Sequence, residues 1–415
     1  MRRGALTAPD PPWKDHAPHG HRERWGVAER IVGDLPARWQ RALDALCARI
    51  LDIRSAVGDA WPYHCDPAVG VWDTTENGDW CGGHWVECLR IVGELTGSRA
   101  LLDEAAARTE RLRPLLERDD MFRGHRFYYS AARQHAWTGD PKMRTLALAA
   151  AWAVRAMAIP SNGAMPIGTQ VQVRSTQLAG RDKVCVDNVH PNLILDWWAW
   201  RETGDETFVT GARRHLDLTI RDFILDDWST VEFIDYDPAT GRRLRHYTLL
   251  GAHDDSCWSR GQAWAIAGFL RAWEALGDPR YLMVGSRLLD YWLDRTGPGG
   301  VPPWDFKDPD LASNPGAVVR DSSAAAIVVE QLARLAIRSD LPPDAARVAA
   351  RIGPMIDGLL EHLTLPGDGS GLAPGILRDG CFNRPRDYAT RSELIWGTAY
   401  LLFALYYLKT GRVVE

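Results

Sequence analysis

Along most of the chain apolar residues recur at three- and four-residue intervals, the spacing that builds one face of an α-helix. Twelve segments follow it, at about 36–56, 80–96, 100–117, 122–138, 142–158, 189–202, 206–223, 259–275, 279–294, 321–337, 344–362 and 393–409. Four of the junctions share a punctuation: LTGS (95–98), WTGD (137–140), ETGD (202–205) and ALGD (275–278). Glycine accepts the left-handed conformation that closes one helix, and the following Asp or Ser caps the next. Links this tight make antiparallel helical hairpins. Six hairpins of two helices predict an all-α fold, either a closed double ring or a superhelix of stacked pairs. The unequal lengths of the pairs disfavour the superhelix.

Four longer segments interrupt the hairpins, at 160–185, 229–255, 296–319 and 366–391, all rich in Gly, Pro, Asp and Thr. In the second, VEFIDYDPATGRRLRHYTLL (231–250) predicts a β-hairpin turning at DPATG. Loops of this length commonly build a binding mouth. Nothing reads as an interdomain linker, so one domain is expected over 22–415. Residues 1–21, basic and proline-containing, are expected to form a flexible arm.

Composition narrows the function. The 415 residues are 46% apolar with a net charge of −5 and no basic block, which argues against a nucleic-acid surface. No apolar run reaches the ~18 residues that a membrane span needs, and the N-terminus lacks the apolar core of a signal peptide. Seven scattered cysteines without a CxxC pair read as free thiols in a reducing cytoplasm. No HExxH spacing occurs, so neither metal nor cofactor is expected. Tryptophan supplies 19 of the aromatic residues, beside 11 Tyr and 9 Phe, an excess suited to sugar faces. Many of these indoles will simply fill the core; the others suit a small carbohydrate or glycoside as partner, and a monomer or weak homo-oligomer is expected.

The candidate chemistry centres on HDDSCWSRGQAWAIAGFL (253–270). Asp254, Asp255 and Ser256 are residue types that start a helix. Arg260 and Trp264, four apart, share one side of the following turn, as do Trp258 and Gln262. A cation, an amide and two indoles suit a planar, anionic, hydroxyl-rich ligand such as a uronic acid. The plainer reading is a capped core helix whose Arg260 pairs with an aspartate. Asp187 precedes a helix carrying His190, Trp197, Trp198 and Trp200. It is either a helix cap or a general acid whose pKa is raised by indoles that exclude water. Trp80 and His84 lie in WDTTENGDWCGGHWVE (72–87), where a histidine at a helix start is more often a satisfied core residue than a ligand.

DDSCWSRGQAW (254–264) resembles the signature of the unsaturated glucuronyl hydrolases, glycoside hydrolase family 88, and more loosely that of the unsaturated rhamnogalacturonyl hydrolases. VPPWDF (301–306), RDSSAAAI (320–327) and SELIWG (392–397) follow in the family's order, and VDNVHPNLILDWWAW (186–200) resembles its catalytic segment. The resemblance implies a closed (α/α)6 toroid with long loops and the small β-hairpin at the cavity mouth. It implies Asp187 as general acid and base, protonating C4 of a 4,5-unsaturated uronic acid while water adds at C5. The hemiketal so formed collapses and expels the rest of the chain. Arg260 is implied as an anion or hydroxyl ligand, Trp264 as a stacking platform, and Trp80 and His84 as wall residues.

Four residues in three segments depart from the family pattern. RGHRF (123–127) puts Gly124 where the family has a second aspartate, leaving Asp119, Asp120 or His125 as substitutes. Glu232 stands near the family's loop histidine, and Leu249 and Leu250 replace a His-Gln pair. Such changes suggest a different sugar, neutral or aminated, with Glu232 binding it or acting as second carboxylate. A carbohydrate-binding protein without catalysis is the remaining alternative.

Overall fold

Each glycine–aspartate junction closes a hairpin in the computed structural model, which describes residues 33–171 and 178–415. Gly139, Gly204 and Gly277 adopt left-handed φ values of 74°, 70° and 68°. The next residue's carboxylate then caps a new helix, Asp140 on Lys142 N (2.8 Å), Asp205 on Thr207 N (2.9 Å) and Asp278 on Arg280 N (3.0 Å). Gly97 is left-handed as well, but Ser98 makes no side-chain cap.

Six inner helical segments close a ring. They are Gly82–Thr96, a composite helix over 123–138, Leu193–Thr203, Ser259–Leu276, Ser322–Ala336 and Ile395–Thr410. Each packs on the next, and the last packs on the first. Ala37–Val57, Arg99–Leu112, Pro141–Arg155, Glu206–Asp222, Pro279–Thr296 and the broken pair Pro343–Ala349 and Ile352–Leu360 form the outer ring. Burial follows this division. Every residue is buried from 259 to 273 and from 395 to 408, the second stretch apolar nearly all round and the first enclosing Arg260, Gln262 and Arg271 as well. Outer helices bury one stripe, as in Trp39, Ala42, Leu43, Leu46, Ile50 and Ile53.

Proline explains where helices fall short of the apolar pattern. The 100–117 segment is helical only to Leu112, and Pro114 sits in the 3-10 turn Arg113–Glu117 that follows. Pro354 breaks 344–362, since it lacks an N–H and its ring crowds the carbonyl four residues back. Pro191 delays the next helix to Leu193, leaving Val186–Val189 as a separate 3-10 turn. Within the composite helix, Tyr128–Ala132 is a π-helical turn, a feature often found beside functional sites.

The expected hairpin is present as Phe233–Tyr236 and Arg243–Tyr247, and Lys183–Cys185 adds a third antiparallel strand. A second sheet was not expected. It orders Trp72–Thr75, Trp61–Cys65, Tyr388–Leu394 and Gly380–Asn383. Residues 393 and 394, read as helical from the pattern, end the strand that runs straight into Ile395–Thr410. The arm expected at 1–21 lies outside the described residues. Among the described residues no helix is long and apolar enough to cross a membrane, and all seven cysteines are free.

Candidate active site

A cleft is lined by residues of the composite helix, of the helix Ser259–Leu276 and of the segments between helices. Its walls include Trp80, Phe122, His125, Phe233, Trp258, Trp264 and Phe382, and its polar groups include Asp187, Glu232 and Arg260. Asp187 sits on the 3-10 turn Val186–Val189, which lies against the helix Ser259–Leu276. Two glycines seven residues apart allow the approach. A Cβ on Gly261 would come within 3.0 Å of Val186 Cγ1, and one on Gly268 within 2.7 Å of Val189 O.

The third strand brings the second carboxylate alongside. Cys185 pairs with Phe233, and Val186 N donates to Glu232 O at 2.9 Å. Glu232 is 3% exposed. Its Oε2 accepts from the Leu249 and Leu250 amides (2.8 and 2.9 Å) and from the Thr248 hydroxyl. Glu232 Oε1 and Asp187 Oδ1 are buried and have no hydrogen-bond partner among the described residues. Burial pushes the Asp187 carboxyl up to about 7, and the neighbouring Glu232 adds to the rise while Arg260 opposes it. Burial raises Glu232 too, against its three donors. A carboxyl poised near neutrality in a desolvated cleft can give and take a proton at ordinary pH.

Arg260 lines the cleft but spends much of its hydrogen-bonding capacity on the protein. One terminal nitrogen donates to Asp321 Oδ2 (2.5 Å) and Cys381 O (2.7 Å), the other to Phe382 O (2.8 Å). Its guanidinium lies 4.5 Å from the Trp258 ring rather than beside Trp264. Trp264 stacks on His190 (5.4 Å, 26°) and tilts against His125 (5.1 Å). Gln262 turns away, donating to Trp228 O and Leu288 O. Asp254, Asp255 and Ser256 do not cap the helix, which starts at Ser259. Instead Asp254 accepts from Thr248 N, Asp255 from His246, and Ser256 donates to Asp305.

His84 does not line the cleft. It packs edge-on to Trp80 with ring centroids 5.7 Å apart and bonds the Tyr400 hydroxyl at 3.1 Å, its imidazole driven down to about 3 by burial. His125 does line it, and burial holds it well below the usual histidine range, hence neutral. Asp119 binds Thr169 and Arg181, and Asp120 is clamped by Arg126 (2.8 Å). Both hold the loop that precedes the composite helix.

Gly124 has no room for any side chain. Its Cβ would stand 1.9 Å from Pro191 O and 2.5 Å from Asn192 Cα, both backbone. A carboxylate therefore cannot be restored by substitution at this point. Gly124→Asp is expected to lower thermal stability by more than the ~1–3 kcal/mol typical of overpacking. A calorimetric scan showing an unshifted unfolding temperature would refute that placement.

Trp258, one of the two indoles expected there, lines the cleft, as do Met121, Ile167, Cys185, Phe233 and Phe382, which the sequence did not single out as site residues. Trp258 was legible within its motif. Phe382 lies on a strand of the unexpected sheet and gave no local signal. The motifs themselves prove to be tied together: Ser256 to Asp305, Arg260 to Asp321, and Trp396 Nε1 to Ser323 Oγ at 3.2 Å. Among the described residues no group of three or more His, Cys, Asp or Glu side chains could hold a metal ion.

No family model matches the chain. Individual proteins do. The chain is 30% identical over 385 residues to an unsaturated glucuronyl hydrolase of Bacillus sp. strain GL1, covering 90% of this chain and 97% of that one. It is 27% identical over 354 residues to an unsaturated chondroitin disaccharide hydrolase of Streptococcus pyogenes, covering 83% and 84%. A crystal structure of the unsaturated glucuronyl hydrolase from Bacillus sp. GL1, described as responsible for the degradation of glycosaminoglycan, matches with a TM-score of 0.78 at 28% identity over 90% and 97% of the two chains. The fold alone is shared with an unsaturated glucuronyl hydrolase specific for heparin, at a TM-score of 0.75 and 21% identity, covering 89% of this chain and 96% of that one.

Proposed function

Because the chain belongs to the unsaturated glucuronyl hydrolases, glycoside hydrolase family 88, we propose that it releases a 4,5-unsaturated uronic acid from an oligosaccharide or glycoside, with Asp187 as the acid. The observation that carries this reading is the Asp187 carboxyl itself. It is enclosed by aromatic walls, held near pKa 7, and has an oxygen without a partner at the cleft.

The reaction asks for a proton at C4 of the vinyl ether and a water at C5. Asp187 supplies the first as the neutral acid and, once ionised, accepts the proton that the water gives up. That returns the acid to its starting state, and the hemiketal collapses without help from a second displacement at the anomeric carbon. Trp80 and Trp264 present ring surfaces against which a half-planar unsaturated sugar can stack, with His125 between them as a neutral hydrogen-bonding edge. His84 packs edge-on to Trp80. Arg260 positions Trp258 and leaves its remaining N–H groups for a sugar oxygen.

Unsaturated disaccharides absorb in the near ultraviolet through their conjugated vinyl ether. A panel of them is expected to lose that band on incubation with the enzyme. Persistence of the band with every member, at high enzyme concentration, would remove the assignment.

A further inference from the structure

The cleft holds two carboxylates, yet the helix at 123–127 supplies neither of them. We propose that Glu232 is the positioning residue for Asp187: a fixed negative charge beside the acid that keeps the shared proton on Asp187. The inference rests on the reading of Asp187 as the acid.

The geometry distinguishes the two members of the pair. Glu232 Oε2 is cradled by the Leu249 and Leu250 amides and the Thr248 hydroxyl. Three donors on one oxygen favour the ionised form. Asp187 has no comparable cradle. Its carboxyl meets the Cys185 thiol, a weak donor, and its Oδ1 has no partner among the described residues. Two carboxylates in one desolvated cleft cannot both ionise cheaply. The anion therefore settles on Glu232 and the proton on Asp187.

Other groups around the pair leave this division in place. From the strand Lys183–Cys185 comes the Cys185 thiol, which burial holds protonated. From the composite helix comes His125, which burial holds neutral. From the helix Ser259–Leu276 comes Arg260, whose charge is matched by Asp321 at 2.5 Å. The donors themselves come from 248–250, where Leu249 and Leu250 contribute backbone amides alone. Glu232 and the 248–250 loop thus form one unit, in which two backbone amides and one hydroxyl hold the glutamate ionised.

Removing the charge should make Asp187 a stronger acid. In Glu232→Gln the alkaline limb of the kcat profile on an unsaturated disaccharide is expected to move down by about one pH unit. The ratio of turnover at pH 8 to that at pH 5 should then fall about tenfold. Thr248→Val, which removes one donor and keeps the carboxylate, should move the limb the same way by less, and it serves as well if Glu232→Gln does not fold. A limb that stays in place or moves up in the variants overturns the proposal and leaves Glu232 as a loop anchor. A second readout needs no substrate. The protonated-carboxyl infrared band that disappears in Asp187→Asn should titrate at lower pH in Glu232→Gln than in the unsubstituted enzyme. That shift without turnover of any unsaturated sugar would sink the hydrolase reading and keep the pair. Turnover with no shift would do the reverse.

Discussion

Asp187→Asn is expected to lower turnover of an unsaturated uronyl glycoside by ~10²–10⁴-fold, the range for loss of a general acid, with KM little changed. Asparagine keeps the shape and one acceptor but has no proton to give. For the unsubstituted enzyme, activity should fall on the alkaline side of about pH 7, where Asp187 ionises. Stability supplies a second check, and its sign follows from the direction of the shift. An aspartate that titrates near 3.9 in the unfolded chain titrates at about 7 in the fold. The fold thus favours the protonated form, and that contribution is fully present below about pH 4 and lost as pH rises through about 7. Asparagine never ionises. The variant's unfolding temperature should therefore gain on that of the original protein as pH rises from 4 to 8. An active variant, or a stability difference independent of pH, would place the chemistry on another residue.

The second large effect falls on stability. Arg260→Ala leaves the fully buried Asp321 carboxylate without its cation and two buried carbonyls, Cys381 O and Phe382 O, without that donor. Breaking a buried ion pair from one side costs ~3–5 kcal/mol, read as a lower urea midpoint with an unchanged slope. Lysine should recover only part of this, since one ammonium cannot reproduce the planar fork that spans three acceptors. A Arg260→Ala protein as stable as the original, with KM alone raised, would instead make Arg260 chiefly a substrate ligand.

Much of the architecture could be read from local spacing. All twelve helical segments exist, because a 3.6-residue apolar period and a Gly-Asp junction act over a few residues and need no distant partner. The errors also have local causes that the periodicity does not contain. Pro114, Pro191 and Pro354 truncate, delay or break apolar runs by removing an N–H and crowding a carbonyl. The second sheet escaped notice because its strands are short and draw their partners from opposite ends of the chain, Cys65 opposite Glu393.

The site divides in the same way. Asp187, Trp80, Trp264 and Glu232 were legible as residue types at telling positions, and the cleft gathers all four. What each one does depends on the side chains and carbonyls packed around it. Arg260 reads as a free cation until Asp321 and the 381–382 carbonyls surround it. Whether His84 is a wall or a core residue is decided by the rings of Trp80, His125 and Tyr129 and by the Tyr400 hydroxyl, which enclose it. Gly124 reads as a lost carboxylate until Pro191 is found filling the space where one would stand. The sequence by itself determined which segments become helices, where hairpins close and which acid has apolar company. Tertiary structure alone decided which polar atoms keep an unsatisfied bond at the cleft. Hydrogen-bond satisfaction is a property of the whole packed neighbourhood, and no stretch of chain contains it.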